Sequence, residues 1–153
     1  MIDDIGYRIL KILQRKARIP NVEVARQVNM APSAVLERIR KLESQGYIDG
    51  YEVRLNPHRF NRAMVAFVFV ETRDPSRRAP VAEALSRIPA IQEIHFIAGP
   101  GRFLVKLRVA GSEELNSLLQ DDIGRIAGID STCTHIVLST IKETANIPIG
   151  ANA

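Results

Sequence analysis

The spacing of apolar residues changes once along this chain of 153 residues, and the change separates a helical part from a part built around strands. Up to residue 46, apolar side chains recur three and four apart. Ile5, Ile9, Ile12 and Leu13 come first, then Val24, Ala25 and Val28, then Val35, Ile39 and Leu42. Each set makes one buried stripe on a helix. The spacing predicts a first helix over residues 3–16, with Asp3 and Asp4 in its first turn and Arg15 and Lys16 in its last, the favourable sense for the helix dipole. Pro20 ends that segment, and Asn21 is placed to cap a second helix over 21–28. Asn29 suits a left-handed backbone and Met30 follows it as an apolar plug. Pro32 opens a third helix, and Gly46 closes it.

Helix, short turn, helix is the organisation of a helix-turn-helix, and the small Ala25 lets the second and third helices approach closely. The third helix then presents Ser33, Glu37, Arg40, Lys41 and Ser44 outward. Ser33 and Glu37 have the reach and chemistry for base edges in a major groove. Arg38, Arg40 and Lys41 suit phosphates, which position a helix without reading sequence. Ala34 and Arg26 complete the expected DNA-facing set. Charge points the same way. Residues 1–62 carry 12 Lys and Arg against 7 Asp and Glu, whereas 63–153 carry 9 against 10, so the whole net charge of +4 originates in the helical part. A polyanionic partner for that part follows. A three-helix bundle with a solvated polar face would show the same pattern.

From residue 51 the pattern reads as strands with two helices between them. Residues 51–55 are expected as a short strand, and 63–72 as a longer one that is apolar on both faces. Val65, Phe67 and Phe69 line one face, and Met64, Ala66, Val68 and Val70 the other. In a small domain with helices on one side of its sheet, the second apolar face calls for a partner chain. The alternative is a strand buried within one compact chain. A helix over 76–88 (Ala82, Leu85, Ile88), strands over 91–97 and 102–109, a helix over 112–126 and a last strand over 131–141 complete the order β-α-β-β-α-β. That order is the ferredoxin-like pattern, so the fold class is α+β. The domains expected are a helix-turn-helix over 1–50, a strand and linker over 51–62, and a ferredoxin-like domain over 63–153.

Several function classes are disfavoured. The longest apolar run, residues 63–70, is too short to span a bilayer, and the start lacks a secretory pattern. A single cysteine, Cys133, excludes an intrachain disulfide and makes a reducing, cytoplasmic setting the expectation. The absence of Trp and the scarcity of aromatics argue against stacking on single-stranded nucleic acid. Cys133 and His135 fall on one side of a strand and His95 on another strand, but no ligand spacing supports a metal. No phosphate loop or nucleophile motif is present. Neither a cofactor nor an enzymatic activity is expected.

Five stretches, taken together in order and spacing, carry a specific resemblance. They are residues 9–14 (Ile-Leu-Lys-Ile-Leu-Gln), 17–25 (Ala-Arg-Ile-Pro-Asn-Val-Glu-Val-Ala), 32–35 (Pro-Ser-Ala-Val), 38–43 (Arg-Ile-Arg-Lys-Leu-Glu) and 46–51 (Gly-Tyr-Ile-Asp-Gly-Tyr). The chain resembles the leucine-responsive regulator / asparagine regulator (Lrp/AsnC) family of transcription factors from residue 1 to about 149. The resemblance implies an N-terminal winged-type helix-turn-helix and a C-terminal domain that dimerises, often builds octamers, and binds small effectors between dimers. Asn29 stands where the family usually has Gly, and Ala31 where a Ser commonly caps the recognition helix. The family's effector loop maps to Gly99, Pro100, Gly101 and Arg102, with Thr132 and Thr134 as further candidates. Gly99 matches, but Arg102 replaces the usual acidic residue. An Arg there repels an α-ammonium group and suits a carboxylate, so an acidic effector, or none, is expected. Sirohaem decarboxylases resemble the same domain pair and provide an enzymatic alternative.

Overall fold

The computed structural model describes residues 2–99 and 101–150, and the chain divides into two compact units. One comprises the described residues of 1–54 and 142–153, the other Leu55–Ile141.

In the first unit, α1 (Asp4–Arg15), α2 (Asn21–Val28) and α3 (Pro32–Ser44) bury Ile9, Val24, Ala25, Val28, Val35, Ile39 and Leu42 in one core, the stripes expected from the spacing. Asp3 lies outside α1 as its N-cap, its Oδ1 accepting from the Gly6 N–H at 2.9 Å. Asn21 is the first helical residue of α2 and does not cap it. The cap position belongs to Pro20, whose carbonyl accepts from Glu23 and Val24. Asn29 is left-handed (φ 58°, ψ 52°), so this asparagine fills the place usual for glycine without breaking the turn. α3 begins after Ala31 with no side-chain cap. It ends in a Schellman motif: Tyr47 N–H donates to Leu42 O, Gly46 N–H to Glu43 O, and Gly46 has φ 71°.

Two expectations fail in this unit. Residues 51–55 form no strand, since no strand among the described residues pairs with them. Tyr51 instead turns back to α3, its Oη donating to Glu43 Oε1 at 2.8 Å. Burial, then that carboxylate, pushes the phenol up to about 12. The described part of the tail, residues 142–150, expected in the second domain, groups with the helices. Ile147 N–H donates to Gln14 Oε1 (2.8 Å) and Gln14 Nε2 to the Ile147 carbonyl (3.3 Å).

In the second unit, β1 (Met64–Glu71), α4 (Arg78–Ser86), β2 (Ile91–Ile97), β3 (Arg102–Val109), α5 (Ser112–Ser117) and β4 (Ser131–Ile136) give the ferredoxin-like order. The sheet runs β2-β3-β1-β4 with every pair antiparallel. The register Ala66↔Leu107, Val68↔Val105 and Val70↔Phe103 aligns one apolar face, which buries against Val81, Leu85, Leu115, Leu118 and Ile123 from the helical segments. Phe67 and Phe69 lie on the opposite face, half-buried. Both helices are shorter than their periodicity suggests. Pro75 makes the approach to α4 a 3₁₀ turn, and α5 passes into a π turn over Leu118–Ile123. β4 stops at Ile136, paired with Ala66, and not at residue 141. Past that point Leu138 and Ile141 are 98% and 93% exposed.

Candidate nucleic-acid interface and ligand loop

α3 sorts its side chains by physical role. Val35, Ile39 and Leu42 hold it to α1 and α2, while Ser33, Glu37, Arg40, Lys41 and Ser44 are exposed. Ala34 is half-buried beside the core stripe. Among the described residues no side chain pairs with Glu37, Arg40 or Lys41, so all three are free to meet a ligand. Arg38 differs. It leans toward α1, with Nη1 2.8 Å from both carboxylate oxygens of Asp3. That carboxylate therefore caps α1 and braces α3 together. Its acidity is strengthened first by the Gly6 N–H and then by Arg38, so its pKa is lowered. Arg26 on α2 is exposed and paired with Glu23 at 2.7 Å. Arg8, which the sequence did not single out, donates to the Gln27 carbonyl at 2.6 Å and ties α1 to the end of α2.

The β2–β3 turn is built on glycine. Gly99 has φ 131° and Gly101 φ 55°. A Cβ on Gly101 would run into the Thr72 carbonyl oxygen, while the Gly101 carbonyl accepts from the Thr72 N–H at 2.9 Å. Only a residue without a side chain fits so close to β1. Pro100, a candidate of the effector loop, lies outside the described residues.

Arg102 is not a lone cation. β1 and β3 place Glu71 opposite it, and Arg102 Nη2 lies 2.6 Å from Glu71 Oε1. Ser131 Oγ donates to the other carboxylate oxygen at 2.9 Å. The carboxylate missing from the loop is thus supplied one strand away, and the expected free grip for an acidic ligand is already occupied. Thr132 and Thr134 pair with Val70 and Val68, so they belong to the helix-covered face, opposite Arg102. Arg102 and the two threonines therefore do not converge. Facing away from the helices, Glu71, Arg102 and Ser131 line a shallow depression of about 250 Å³ with Phe69, Cys133 and His135. Cys133 Sγ is 3.5 Å from His135 Nε2. His95 sits on the other edge strand, three strand spacings or roughly 14 Å away. Among the described residues no group of three metal-ligating side chains forms, and no helix is long and apolar enough to cross a membrane.

Comparison with known proteins accounts for both units. Residues 65–147 match the Lrp/AsnC ligand binding domain and residues 2–49 a winged helix-turn-helix DNA-binding domain. The HTH-type transcriptional regulator FL11 of Pyrococcus abyssi is 38% identical over 148 residues, covering 97% of each chain. The leucine-responsive regulatory protein of Escherichia coli is 35% identical over 153 residues, covering 97% of this chain and 92% of its own. A transcriptional regulator of Neisseria meningitidis, solved as a complex with L-methionine, superposes with a TM-score of 0.92 at 26% identity, covering 97% of both chains. AsnC of Escherichia coli shares the fold, with a TM-score of 0.89 at 23% identity over 97% of this chain and 99% of its own. The chain belongs to the Lrp/AsnC family of helix-turn-helix transcription regulators.

Proposed function

We propose that this protein is a cytoplasmic, non-enzymatic regulator that reads double-stranded DNA through α3 as a homodimer and responds to a small effector through its second unit. The exposed face of α3, on which Glu37, Arg40 and Lys41 have no side-chain partner among the described residues, carries the reading. Ser33 and Glu37 are exposed and have the chemistry for base edges, and Arg40 and Lys41 suit phosphates. Two copies would place two such helices in successive major grooves, about 34 Å apart. The sheet face carrying Phe67 and Phe69 supports pairing of two chains, since helices cover only the other face. Assembly towards octamers is the family's habit and is proposed for this chain on that ground. The Neisseria relative's complex with L-methionine supports an effector of amino-acid size.

Binding to duplex DNA, titrated with salt, tests the first part. Specific affinity should fall linearly on a log–log plot with a slope near −0.9 for each phosphate neutralised. A slope indistinguishable from zero would refute it. Phe69→Glu, followed by sedimentation velocity, tests the second: the variant should run as a monomer with its fold intact. An unchanged assembly would place the interface elsewhere.

A further inference from the structure

β4 is an edge strand of the sheet, and Cys133 and His135 stand two residues apart on it. Their register partners are Phe69 and Phe67, so both project from the sheet face that the helices leave open. Both are exposed. The His135 ring packs edge-on against Phe69, with centroids 5.7 Å apart and planes at 89°. That contact fixes the plane of the imidazole, and its Nε2 lies 3.5 Å from Cys133 Sγ. A sulfur at about 2.3 Å and a nitrogen at about 2.1 Å from one tetrahedral zinc ion stand about 3.6 Å apart. The pair therefore has the bite that zinc requires. Cys-x-His is not a familiar ligand spacing on helices or turns, but on a strand residues i and i+2 share one face. Glu71, in the same depression, is engaged by Arg102 and Ser131 and is not a free third ligand.

We propose that Cys133 and His135 are half of a tetrahedral zinc site, completed by the same two residues of a second copy of this chain. The site deepens the pairing of two chains through the Phe67 and Phe69 face and rests on that reading. An isologous pair brings residues beside its two-fold axis against their own copies, so the site requires that axis to pass next to β4. Thiolate and imidazole select zinc over magnesium and calcium, which take oxygen ligands. Two thiolates also neutralise one Zn²⁺. The filled site is then neutral and compatible with an interface that carries Phe67 and Phe69, where an uncompensated charge would be costly. On binding, two thiol protons leave for solvent while two S–Zn and two N–Zn bonds form, and no oxidant or reductant is needed. Zinc then strengthens the pairing by mass action, and a chelator removes that part.

The test is titration of the reduced, metal-free, full-length protein with Co²⁺ and with Zn²⁺, alongside sedimentation velocity of the same samples. Cobalt should develop the visible bands of tetrahedral geometry and a thiolate charge-transfer band in the near ultraviolet, both saturating at one metal for two chains. Zinc added to the metal-free protein should release two protons per ion. Cys133→Ser and His135→Gln should each weaken zinc binding by at least about a hundredfold, no less than the loss of an outer supporting group can cost. Cys133→His, which keeps four ligands, should retain the tetrahedral bands without the charge transfer. His95→Gln, on the far edge strand, should titrate as the parent does. Zinc should tighten the dimer of the parent but not that of Cys133→Ser. Saturation at one metal per chain, or zinc binding that survives both Cys133→Ser and His135→Gln, would overturn the site. A dimer indifferent to zinc, with no tetrahedral cobalt spectrum, would overturn the site and leave the pairing standing. A monomer at every zinc concentration would overturn both.

Discussion

Arg38 and Arg40 stand two residues apart on α3 and should behave in opposite ways. Arg38 is held by Asp3, with side-chain exposures of 35% and 53% for the two partners, so solvent screens the pair and its worth is about 0.5 kcal/mol. Asp3 also caps α1, a role worth about 1 kcal/mol. Asp3→Ala should therefore cost about 1.5 kcal/mol, and Asp3→Asn, which keeps a capping oxygen, only about 0.5 kcal/mol. Arg38→Ala should match Asp3→Asn apart from the packing of its stem, and the double variant should show that the two losses overlap. Urea unfolding reads all four. Acid separates the roles further. Because the folded pKa of Asp3 is lowered, its contribution is complete above about pH 4 and is lost as pH falls through the lowered value, so Asp3→Asn should flatten that limb. In duplex binding, Arg40→Ala should reduce the salt slope by about 0.9 per protomer if it meets one phosphate, whereas Arg38→Ala should leave the slope where it was. Fluorescence anisotropy across a salt series measures both. An equal fall in slope for the two variants would show that Asp3 releases Arg38 on DNA, and the assignment of Arg38 to the fold would fail.

Three other outcomes follow from named contacts. Glu37→Ala should broaden base preference in a binding-site selection experiment without changing the salt slope, and an unaltered preference would remove Glu37 from base reading. Gly101→Ala should destabilise the second unit by about 2 kcal/mol or more, from the left-handed backbone and the collision with the Thr72 carbonyl. A thermal midpoint within error of the parent would contradict that packing. The Tyr51 phenol, raised to about 12, should ionise well above the ordinary tyrosine range in an ultraviolet titration. Its contribution to stability is complete below about pH 10 and disappears as pH climbs through the raised value, a loss that Tyr51→Phe should abolish.

The parts of the fold that depend on neighbours along the chain were legible in the residues themselves. Pro32 and Gly46 bracket α3, three apolar residues at spacings of four and three pin its inner face, and the alternation over Arg102–Val109 states which side chains point inward. What the sequence left unresolved was non-local. The partner of the end of β4 is Ala66, seventy residues earlier in the chain. Whether Thr132 shares a face with Arg102 is decided by the parity of β1 against two different partners, and one residue of slip would reverse it. Asn21 failed as a cap because Pro20 occupies that position with a suitable backbone, a competition that composition does not express.

The same distinction governs charge, and it decides which residues are candidates for function. A sequence counts every Lys and Arg alike. The folded chain divides them by whether a carboxylate has already been brought to them. Asp3 reaches Arg38 across 35 residues, Glu71 reaches Arg102 across a strand pair, and Glu23 reaches Arg26 within one turn. Those cations are largely answered within the molecule, and recruiting them to a ligand means breaking a contact first. Arg40 and Lys41 have no such partner among the described residues. The asymmetry of the helical part suggested a polyanion, but a surplus alone does not say where an anion binds. Binding energy is available where the internal partner is missing. On that criterion the candidate DNA face narrows to the exposed side of α3.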